Sequence, residues 1–323
     1  MRQTENTVKI VGYLHSFGEA NGRNVLEKKV SGPNSKAPGT EFIGGTVQIA
    51  VDEAGLNIIP VHFSYVTSTY AKSGKSNPNF TALQKLITDN KCIVNVGKEN
   101  AAKVAIDGAI ALNDFYTDPE DEKTLVSAKM IEGSFVNIIN ELPKEEDRHT
   151  FKTDMVITKV THVDADEEKK IEKDFVTIRG AVFNFRNEVL PVEFNVTNEI
   201  GMKHFESLGV EDEPVFTKVW GTINCMTTVV TTTEESAFGE ASVRSYERKV
   251  REWIVTGTAK EAYAFGEEGV LTVEELQKAM GDRQVALAEN RKRAIEFRTN
   301  KNAPAAAPTT PAQPMAKVGG FTF

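Results

Sequence analysis

The stretch Gly45-Thr-Val-Gln-Ile-Ala-Val51, followed after a turn by Pro60-Val-His-Phe-Ser-Tyr65, occurs a second time as Gly180-Ala-Val-Phe-Asn-Phe185 and Pro191-Val-Glu-Phe-Asn-Val196. In each copy a strand of alternating apolar residues begins with glycine, and after a turn the return strand opens with Pro-Val-x-Phe. Period-two alternation on both sides of a turn predicts a β-hairpin. Because the hairpin occurs twice, the sequence predicts two similar β-domains in tandem.

The elements around the two hairpins occur in the same order. A strand precedes each hairpin, a helix follows it, and two more strands come last, at 8–16, 79–88, 104–112 and 125–139 in the first half and at 155–163, 200–208, 215–231 and 250–259 in the second. Five strands with a helix between the third and fourth are typical of the OB-fold, a small Greek-key barrel whose strands bend at glycines. We predict a mainly β protein with two tandem OB-fold-like Greek-key barrels, short helices, a C-terminal helix and a disordered tail.

The predicted domains are residues 1–142 and 149–266 for the barrels, separated by a short charged segment that contains proline, and 270–299 for the C-terminal helix. Asn79 or Thr81 is the predicted cap of the helix in the first barrel. Thr272-Val-Glu-Glu275 is typical of a capping box that opens the C-terminal helix. We expect the apolar face of that helix to lie on the second barrel or on a partner; its residues are Val273, Leu276, Met280 and Leu287.

Residues 300–323 form the predicted tail, because their Ala- and Pro-rich composition is typical of a disordered, semi-extended spacer. The spacer ends in Val-Gly-Gly-Phe-Thr-Phe, with Phe321 and Phe323 at the tip. Two interpretations stay open. The tip is a tethered peptide ligand for a partner protein, or it is an ordinary frayed tail.

The charge of the chain is unevenly distributed. The net charge of the 323 residues is −8, yet residues 1–113 carry 12 Lys and Arg against 9 Asp and Glu. Acidic residues cluster in short runs that look like loops, which are either simply solvated or keep a polyanion away from all faces but one. No apolar run is long enough to span a bilayer, and the N-terminus lacks a secretory signal, so we expect a cytoplasmic protein with reduced, buried Cys92 and Cys225.

Signatures of enzymes, cofactors and metals are missing from the sequence. Ser73-Gly-Lys-Ser76 resembles the end of a phosphate-binding loop, but Thr69 stands where its first glycine is required. The five histidines lack metal-ligand spacing, and no nucleophile elbow occurs. We therefore expect a protein without catalytic activity, cofactor or metal.

Strand alternation predicts which side chains face outward. If the aliphatic residues of each barrel point inward, the inward residues are Ile10, Leu14, Val47 and Ile49 in the first barrel and Ile178, Val182, Val219 and Ile223 in the second. The outward residues are then Lys9, Tyr13 and His15 in the first barrel and Arg179, Phe183, Phe185 and Trp220 in the second. Exposed aromatic side chains on such barrels stack unpaired bases while Lys and Arg follow the phosphates. Five further residues are predicted contacts on the condition that they share a face with Tyr13. They are Lys28, Lys29, Tyr70, Lys72 and Lys75.

One alternative to this prediction stays open. The C-terminal helix or the other barrel could cover the aromatic face and turn it into an interdomain core. The two hairpins also differ on their outward side, with Thr46, Gln48 and Ala50 in the first and Ala181, Phe183 and Phe185 in the second. This difference suggests that the second hairpin stacks bases while the first barrel contributes charge.

Together, the barrels, the basic loop, the proline-rich spacer and the terminal Phe323 make the chain similar to the single-stranded DNA-binding proteins of bacteria and their phages. The resemblance is architectural and spans nearly the whole chain, but no motif longer than a few residues supports it. It implies binding of unwound DNA, replication or recombination proteins as partners of the tip, and a phage-encoded protein in a bacterial host. One departure is that the tip lacks the acidic residues of that family and follows Lys317.

The leading hypothesis is therefore a non-enzymatic, sequence-tolerant single-stranded DNA-binding protein of replication or recombination, with no membrane contact. The alternative is a tandem β-barrel structural or adaptor protein whose aromatic face binds a protein partner.

Overall fold

The computed structural model describes residues 4–302 except 20, 34, 36, 167–170, 211–212 and 235–241, and it describes the backbone alone for 227–234, 242–249 and 300–302. The predictions for Phe321, Phe323 and the linker before them lie outside the described residues.

Eleven named strands and four α-helices make up the described fold. The strands of the first half are β1 (Asn6–Phe17), β2 (Glu27–Val30), β3 (Glu41–Ala50), β4 (Ile58–Thr67), β5 (Lys103–Tyr116) and β6 (Leu125–Ile139). Those of the second half are β7 (His149–Val163), β8 (Phe175–Phe183), β9 (Val189–Val196), β10 (Val215–Glu234) and β11 (Ser242–Thr258). The helices are α1 (Pro78–Asp89), α2 (Ile93–Val96), α3 (Glu199–Glu206) and α4 (Val273–Asn302).

Strand pairing closes each half into a barrel of the same topology. In the first barrel β1 pairs antiparallel with β3 and β5, the pairs β3–β4 and β5–β6 are also antiparallel, and β4 and β6 close the barrel in parallel. The second barrel repeats this circuit as β7, β8, β9, β11 and β10, again with one parallel closure. With α1 and α3 between the third and fourth barrel strands, both circuits have the OB-fold order, so the predicted fold class is confirmed.

The barrel interiors contain the residues that alternation predicts. Among those predicted to point inward, Ile10, Leu14, Val47, Ile49, Ile178, Val182, Val219 and Ile223 are all buried. Gly180 of β8 is required by a close approach, because a Cβ there would lie 1.9 Å from the carbonyl oxygen of Val156 on β7. Cys92 and Cys225 are free and buried, as expected.

Helix α1 covers one end of the first barrel with Phe80, Leu83 and Leu86. Its cap is Asn77, whose side chain accepts a hydrogen bond from the N–H of Asn79, and Pro78 follows at the first helical position. The predicted caps were therefore wrong by two or more residues. Proline is favoured at that first position because its missing N–H is not needed there.

The two barrels share one sheet. The first half of β1 pairs with β7, from Asn6 opposite Thr153 to Ile10 opposite His149. A second connection comes from Asn57, which follows β3 and whose side-chain oxygen accepts the N–H of Cys225 on β10 at 2.8 Å. These hydrogen bonds join the first barrel to the second over β1, β7 and β10.

Helix α4 lies on both barrels. The predicted capping box is confirmed, since Thr272 and Glu275 exchange backbone-to-side-chain hydrogen bonds of 3.1 Å. Leu276 packs on the second barrel, as predicted, and Arg283 then reaches Asp114 of β5 in the first barrel at 2.9 Å. Val273 and Met280 are exposed, so that half of the predicted apolar face was wrong. None of the helices in the described part of the chain is long and apolar enough to cross a membrane.

Candidate nucleic-acid interface

Phe183 does not belong to an exposed surface. Its side chain is fully buried in a small core with Leu271 and with Leu276 of α4. The prediction that Phe183 is exposed and stacks bases is therefore wrong, and the alternative in which the C-terminal helix covers this face is confirmed at this residue. Apolar residues about 90 positions later in the chain supply the cover, which strand alternation within β8 cannot reveal.

The other outward residues of the second barrel are exposed but lie apart. Phe185 follows the end of β8 in a turn, where the guanidinium carbon of Arg186 is 5.1 Å from its ring centroid. Arg179 of β8 pairs with Glu193 of β9. Trp220, at 38% exposure, lies on β10 next to β7 and β11. These three residues therefore lie on three different elements, namely the turn after β8, β8 itself and β10.

The predicted basic set of the first barrel divides into two groups. Tyr13 lies opposite Ala50 at the end of β3, whereas Lys28 and Lys29 of β2 lie opposite Ile43 and Phe42 near its start. These two lysines therefore lie at the opposite end of β3 from Tyr13.

Tyr13 has a basic environment of its own. The ammonium groups of Lys98 and Lys103 lie 5.0 and 5.9 Å from its ring centroid. Lys9 is exposed on the same strand, and His15 is half-buried with Nδ1 3.2 Å from the hydroxyl of Ser16.

The outward residues of the first hairpin also differ from expectation. Thr46, Gln48 and Ala50 are buried, so β3 is covered on both faces over this length. The amide nitrogen of Gln48 donates to the carbonyl of Gly18, and Thr46 lies 3.1 Å from Nδ1 of His62. Exposed side chains therefore occur at the other end of the hairpin.

An aromatic groove lies at that end of the first barrel. Tyr65 of β4, Tyr70 and Phe135 of β6 are 47%, 40% and 51% exposed and line a groove of about 310 Å³. Phe42 of β3 extends the cluster, with its ring centroid 4.4 Å from that of Tyr65. Of these four residues, only Tyr70 was singled out from the sequence. The exposed aromatic cluster thus lies on the first barrel and not on the second hairpin.

Two β-bulges aim these side chains outward. On β4, Phe63 pairs with Gly45 and Val66 pairs with Ile43, so two residues, Ser64 and Tyr65, stand opposite a single residue of β3. Tyr65 has the same parity as the buried Phe63, and alternation alone places it inside the barrel. The extra residue reverses its direction. The adjacent Gly44-Gly45 pair is the one sequence signal that could have indicated a bulge here.

The second bulge, on β6, is held by α1. Gly133 and Phe135 pair with consecutive residues of β5, which leaves Ser134 as the extra residue. Asn79 donates to the carbonyl of Ser134 at 2.8 Å and accepts the N–H of Val136 at 3.0 Å. Glu132 likewise accepts the N–H of Ser64 in the first bulge at 3.0 Å. The side chains of Asn79 and Glu132 therefore satisfy backbone groups in both bulges, and these hydrogen bonds fix the directions of Tyr65 and Phe135.

Four lysines lie on the elements next to the groove. Lys72 and Lys75 are exposed in a tight turn, closed by a hydrogen bond of 2.9 Å from the N–H of Tyr70 to the carbonyl of Lys75. Lys28 contacts Glu41 at 2.7 Å and Lys29 contacts Glu27 at 3.6 Å, in pairs that are largely exposed. Such surface pairs contribute little stability, so these ammonium groups can exchange their carboxylates for other anions.

The chemistry of this site is therefore that of binding. Exposed π faces, flexible cations and a shallow groove suit planar, anionic ligands. Within the described residues, no group of three or more His, Cys, Asp or Glu side chains could hold a metal ion.

The fold and the groove define a tandem OB-fold protein. The sequence matches the model of the YorF family over residues 5–293, and the chain belongs to that family. No curated protein matches it.

Solved structures with similarity to the chain include the single-stranded DNA-binding protein of Thermus aquaticus. A deletion mutant of that protein aligns with a TM-score of 0.44 and 12% identity over 82% of this chain and 98% of its own. The wild-type protein aligns with a TM-score of 0.44 and 11% identity over 82% of this chain and 97% of its own. This similarity is loose, and the OB-fold topology rests on the strand pairings described above.

Proposed function

We propose that this protein binds single-stranded DNA without strong sequence preference, without catalysing a reaction, in DNA replication or recombination. The observation that carries the proposal is the groove lined by Tyr65, Tyr70 and Phe135. Tyr65 lies on β4 and Phe135 on β6, so the groove borders the β3–β4 hairpin. In OB-folds the face of the second and third strands, here β3 and β4, is the one that commonly binds oligonucleotides.

The groove suits unpaired bases because its exposed side chains are aromatic. Large aromatic side chains offer the same π face to any base, so stacking is tolerant of sequence. Three of them around one groove exceed the scattered exposure that is normal for a protein surface.

Phosphate contacts would come from the lysines beside the groove. Lys28 and Lys29 project from β2, and Lys72 and Lys75 from the turn that carries Tyr70. These residues belong to the part of the chain that has a net positive charge in an otherwise acidic protein. Acidic loops elsewhere would repel the strand from other faces.

A titration with fluorescently labelled oligo-dT tests the proposal. The wild-type chain should bind at low salt, and its affinity should fall as salt rises because phosphate contacts release counterions. Tyr65→Ala and Phe135→Ala should each lower the affinity roughly 5- to 100-fold, as expected for the loss of one stacked base. Phe297→Ala is the matched control, since Phe297 is a 69% exposed aromatic residue on α4, away from the groove.

Absence of oligo-dT binding by the folded wild-type chain at low salt would refute the proposal. Equal loss of affinity in Phe297→Ala would refute the groove as the binding site. The adaptor alternative predicts negligible DNA affinity in every variant, together with loss of assembly in Trp220→Ala.

A further inference from the structure

A second exposed surface with an aromatic residue lies where the barrels join. Along the shared sheet Thr7 of β1, Lys152 of β7, Trp220 of β10 and Gly257 of β11 are successive partners in one cross-strand row. Partners in a row point to the same side of a sheet, on strands about 4.8 Å apart. Lys152 and Trp220 are therefore direct neighbours in space, although they are 68 positions apart in the sequence.

The adjacent row adds a residue from the first barrel. Lys9 of β1 lies opposite Thr150 of β7, which in turn lies opposite Thr222 of β10. Since Lys9 and Thr7 are two positions apart on β1, Lys9 faces the same side as Trp220. We call the surface formed by Lys9, Lys152 and Trp220 the inter-barrel face.

Trp220 lies flat on the sheet. A Cβ added to Gly257 would come within 2.5 Å of Nε1 of Trp220 and within 2.7 Å of two carbons of its ring, so the indole rests against the glycine backbone. At 38% exposure the rest of the indole remains accessible to solvent. The glycine thus produces an exposed aromatic platform, in contrast with Trp253, which is buried at 5% exposure.

The inter-barrel face carries cations beside this platform. The side chain of Lys152 is 49% exposed and lies 3.6 Å from Glu5, which also contacts the less exposed Lys218. Lys9 is exposed and has Asp107 of β5 as its cross-strand partner. Lys152 lies on the strand next to that of the indole, and Lys9 lies one strand further away, in the adjacent row. The remaining partners in the two rows include Thr7, Thr150 and Thr222.

We propose that the inter-barrel face is a second contact site for single-stranded DNA, in which Trp220 stacks a base and Lys9 and Lys152 contact phosphates. This inference rests on the proposed function and extends it to a site outside the β3–β4 face. A polyanion with planar bases fits the face because one flat aromatic side chain is accompanied by cations and hydroxyls. A docking site for an apolar protein surface would instead need several exposed aliphatic or aromatic side chains together.

The two sites are distinct. The shortest path of paired strands from β10, which carries Trp220, to β4, which carries Tyr65, passes through β7, β1 and β3. Val11 is buried on the stretch of β1 between Lys9 and Tyr13, so the inter-barrel face also stops short of Tyr13. A strand that contacts both sites must therefore be longer than one that fills the groove.

Tryptophan fluorescence of the full chain tests the inference, because its two tryptophans differ in exposure. Long oligo-dT should quench the emission of the wild-type chain, and this quenching should disappear in Trp220→Phe, which keeps an aromatic ring. Trp220→Ala should weaken binding of long oligo-dT roughly tenfold. Lys152→Ala should reduce the slope of log affinity against log salt by about 0.7, as for one lost phosphate contact on a single strand.

The outcomes separate this inference from the proposed function. If Trp220→Ala and Lys152→Ala bind oligo-dT of every length like the wild type, while Tyr65→Ala loses affinity, the inter-barrel site is refuted and the groove stands. If the wild-type chain binds no oligo-dT, both fail. A change of sedimentation in DNA-free Trp220→Phe would assign the face to protein association and overturn the inference. Unchanged thermal midpoints of the variants exclude misfolding as the cause of lost binding.

Discussion

Phe183 and Phe185 are two positions apart and have opposite environments. Phe183 is the last residue of β8 and is fully buried with Leu271 and Leu276, whereas Phe185 lies in the following turn and is 75% exposed. The difference arises because β8 ends between them, and because Leu271 and Leu276 pack on Phe183 and leave Phe185 in the turn exposed. At the scale of single residues, the role of an aromatic side chain is set by what packs on it.

Phe183→Ala should therefore destabilise the protein, and Phe185→Ala should not. Removing a fully buried phenylalanine leaves a cavity and is expected to lower the free energy of unfolding by about 3–5 kcal/mol. The exposed Phe185 should change it by less than about 0.5 kcal/mol. Urea denaturation measures both values. Equal effects of the two substitutions would contradict the burial of Phe183 and the exposure of Phe185.

At the scale of elements, helix α4 contacts both barrels. Arg283 donates to the carbonyl of Val189 on β9 and pairs with Asp114 on β5, and the two paired side chains are only 14% and 15% exposed. Further along, Arg291 and Arg298 donate to backbone carbonyls near the β5–β6 turn. The helix thus fastens the β5–β6 hairpin of the first barrel to the second.

Arg283→Ala should destabilise this attachment. It leaves the mostly buried carboxylate of Asp114 without its arginine, which costs about 3 kcal/mol for pairs of this kind. Arg293→Ala is the matched control on the same helix, because the pair of Arg293 with Glu289 is exposed and is expected to contribute less than about 0.5 kcal/mol. Chemical denaturation of both variants gives their stabilities. A double-mutant cycle with Arg283→Ala, Asp114→Ala and the double variant then gives the coupling energy between the two side chains. A coupling near zero would show that the contact does not fasten the barrels.

At the scale of the whole molecule, the aromatic core of the second barrel extends to a residue of the first. Lys129 of β6 donates to the carbonyl of Glu193 on β9, and its ammonium lies 5.5 Å from the ring centroid of Phe194 and 5.9 Å from that of Trp253. Burial lowers the pKa of Lys129 to about 8, against a partial opposing effect of the Glu193 carboxylate. The contact between the barrels therefore includes a lysine whose charge is costly.

Stability should rise with pH because of Lys129. In the unfolded chain its pKa returns to about 10.5, so between pH 8 and pH 10.5 the unfolded state binds more protons than the folded state. The penalty for the buried charge is fully present below pH 8 and is removed as the pH approaches 10.5, by at most about 3 kcal/mol. Urea denaturation of the wild type and of Lys129→Met at pH 7.5 and pH 10 isolates this contribution. The stability difference between the two proteins should change with pH, and a constant difference would contradict the burial of the ammonium.

Sequence patterns predicted much of the fold. Alternation identified Ile10, Leu14 and Val182 as core residues, and all three are buried. The repeated element order predicted the OB-fold topology, and the capping box predicted the start of α4. These features are local, because a hairpin, a cap and an alternating strand each depend on residues close together in the chain.

The candidate sites were less accessible to sequence reasoning. Tyr65 and Phe135 are aimed outward by bulges, which depend on how two strands pair and not on one strand alone. The pairing of β7 with β10 places Lys152 beside Trp220, and alternation within one strand does not predict this pairing.

The sequence by itself determined two barrels of one plan, their inward residues and the capped C-terminal helix, because local periodicity and turn chemistry encode them. Only the tertiary structure decided which outer faces stay exposed. Residues about 90 positions later in the chain cover Phe183, while strand register leaves Tyr65, Phe135 and Trp220 accessible. The physical reason is that alternation defines two sides of each strand, whereas packing against distant parts of the chain determines which side meets solvent.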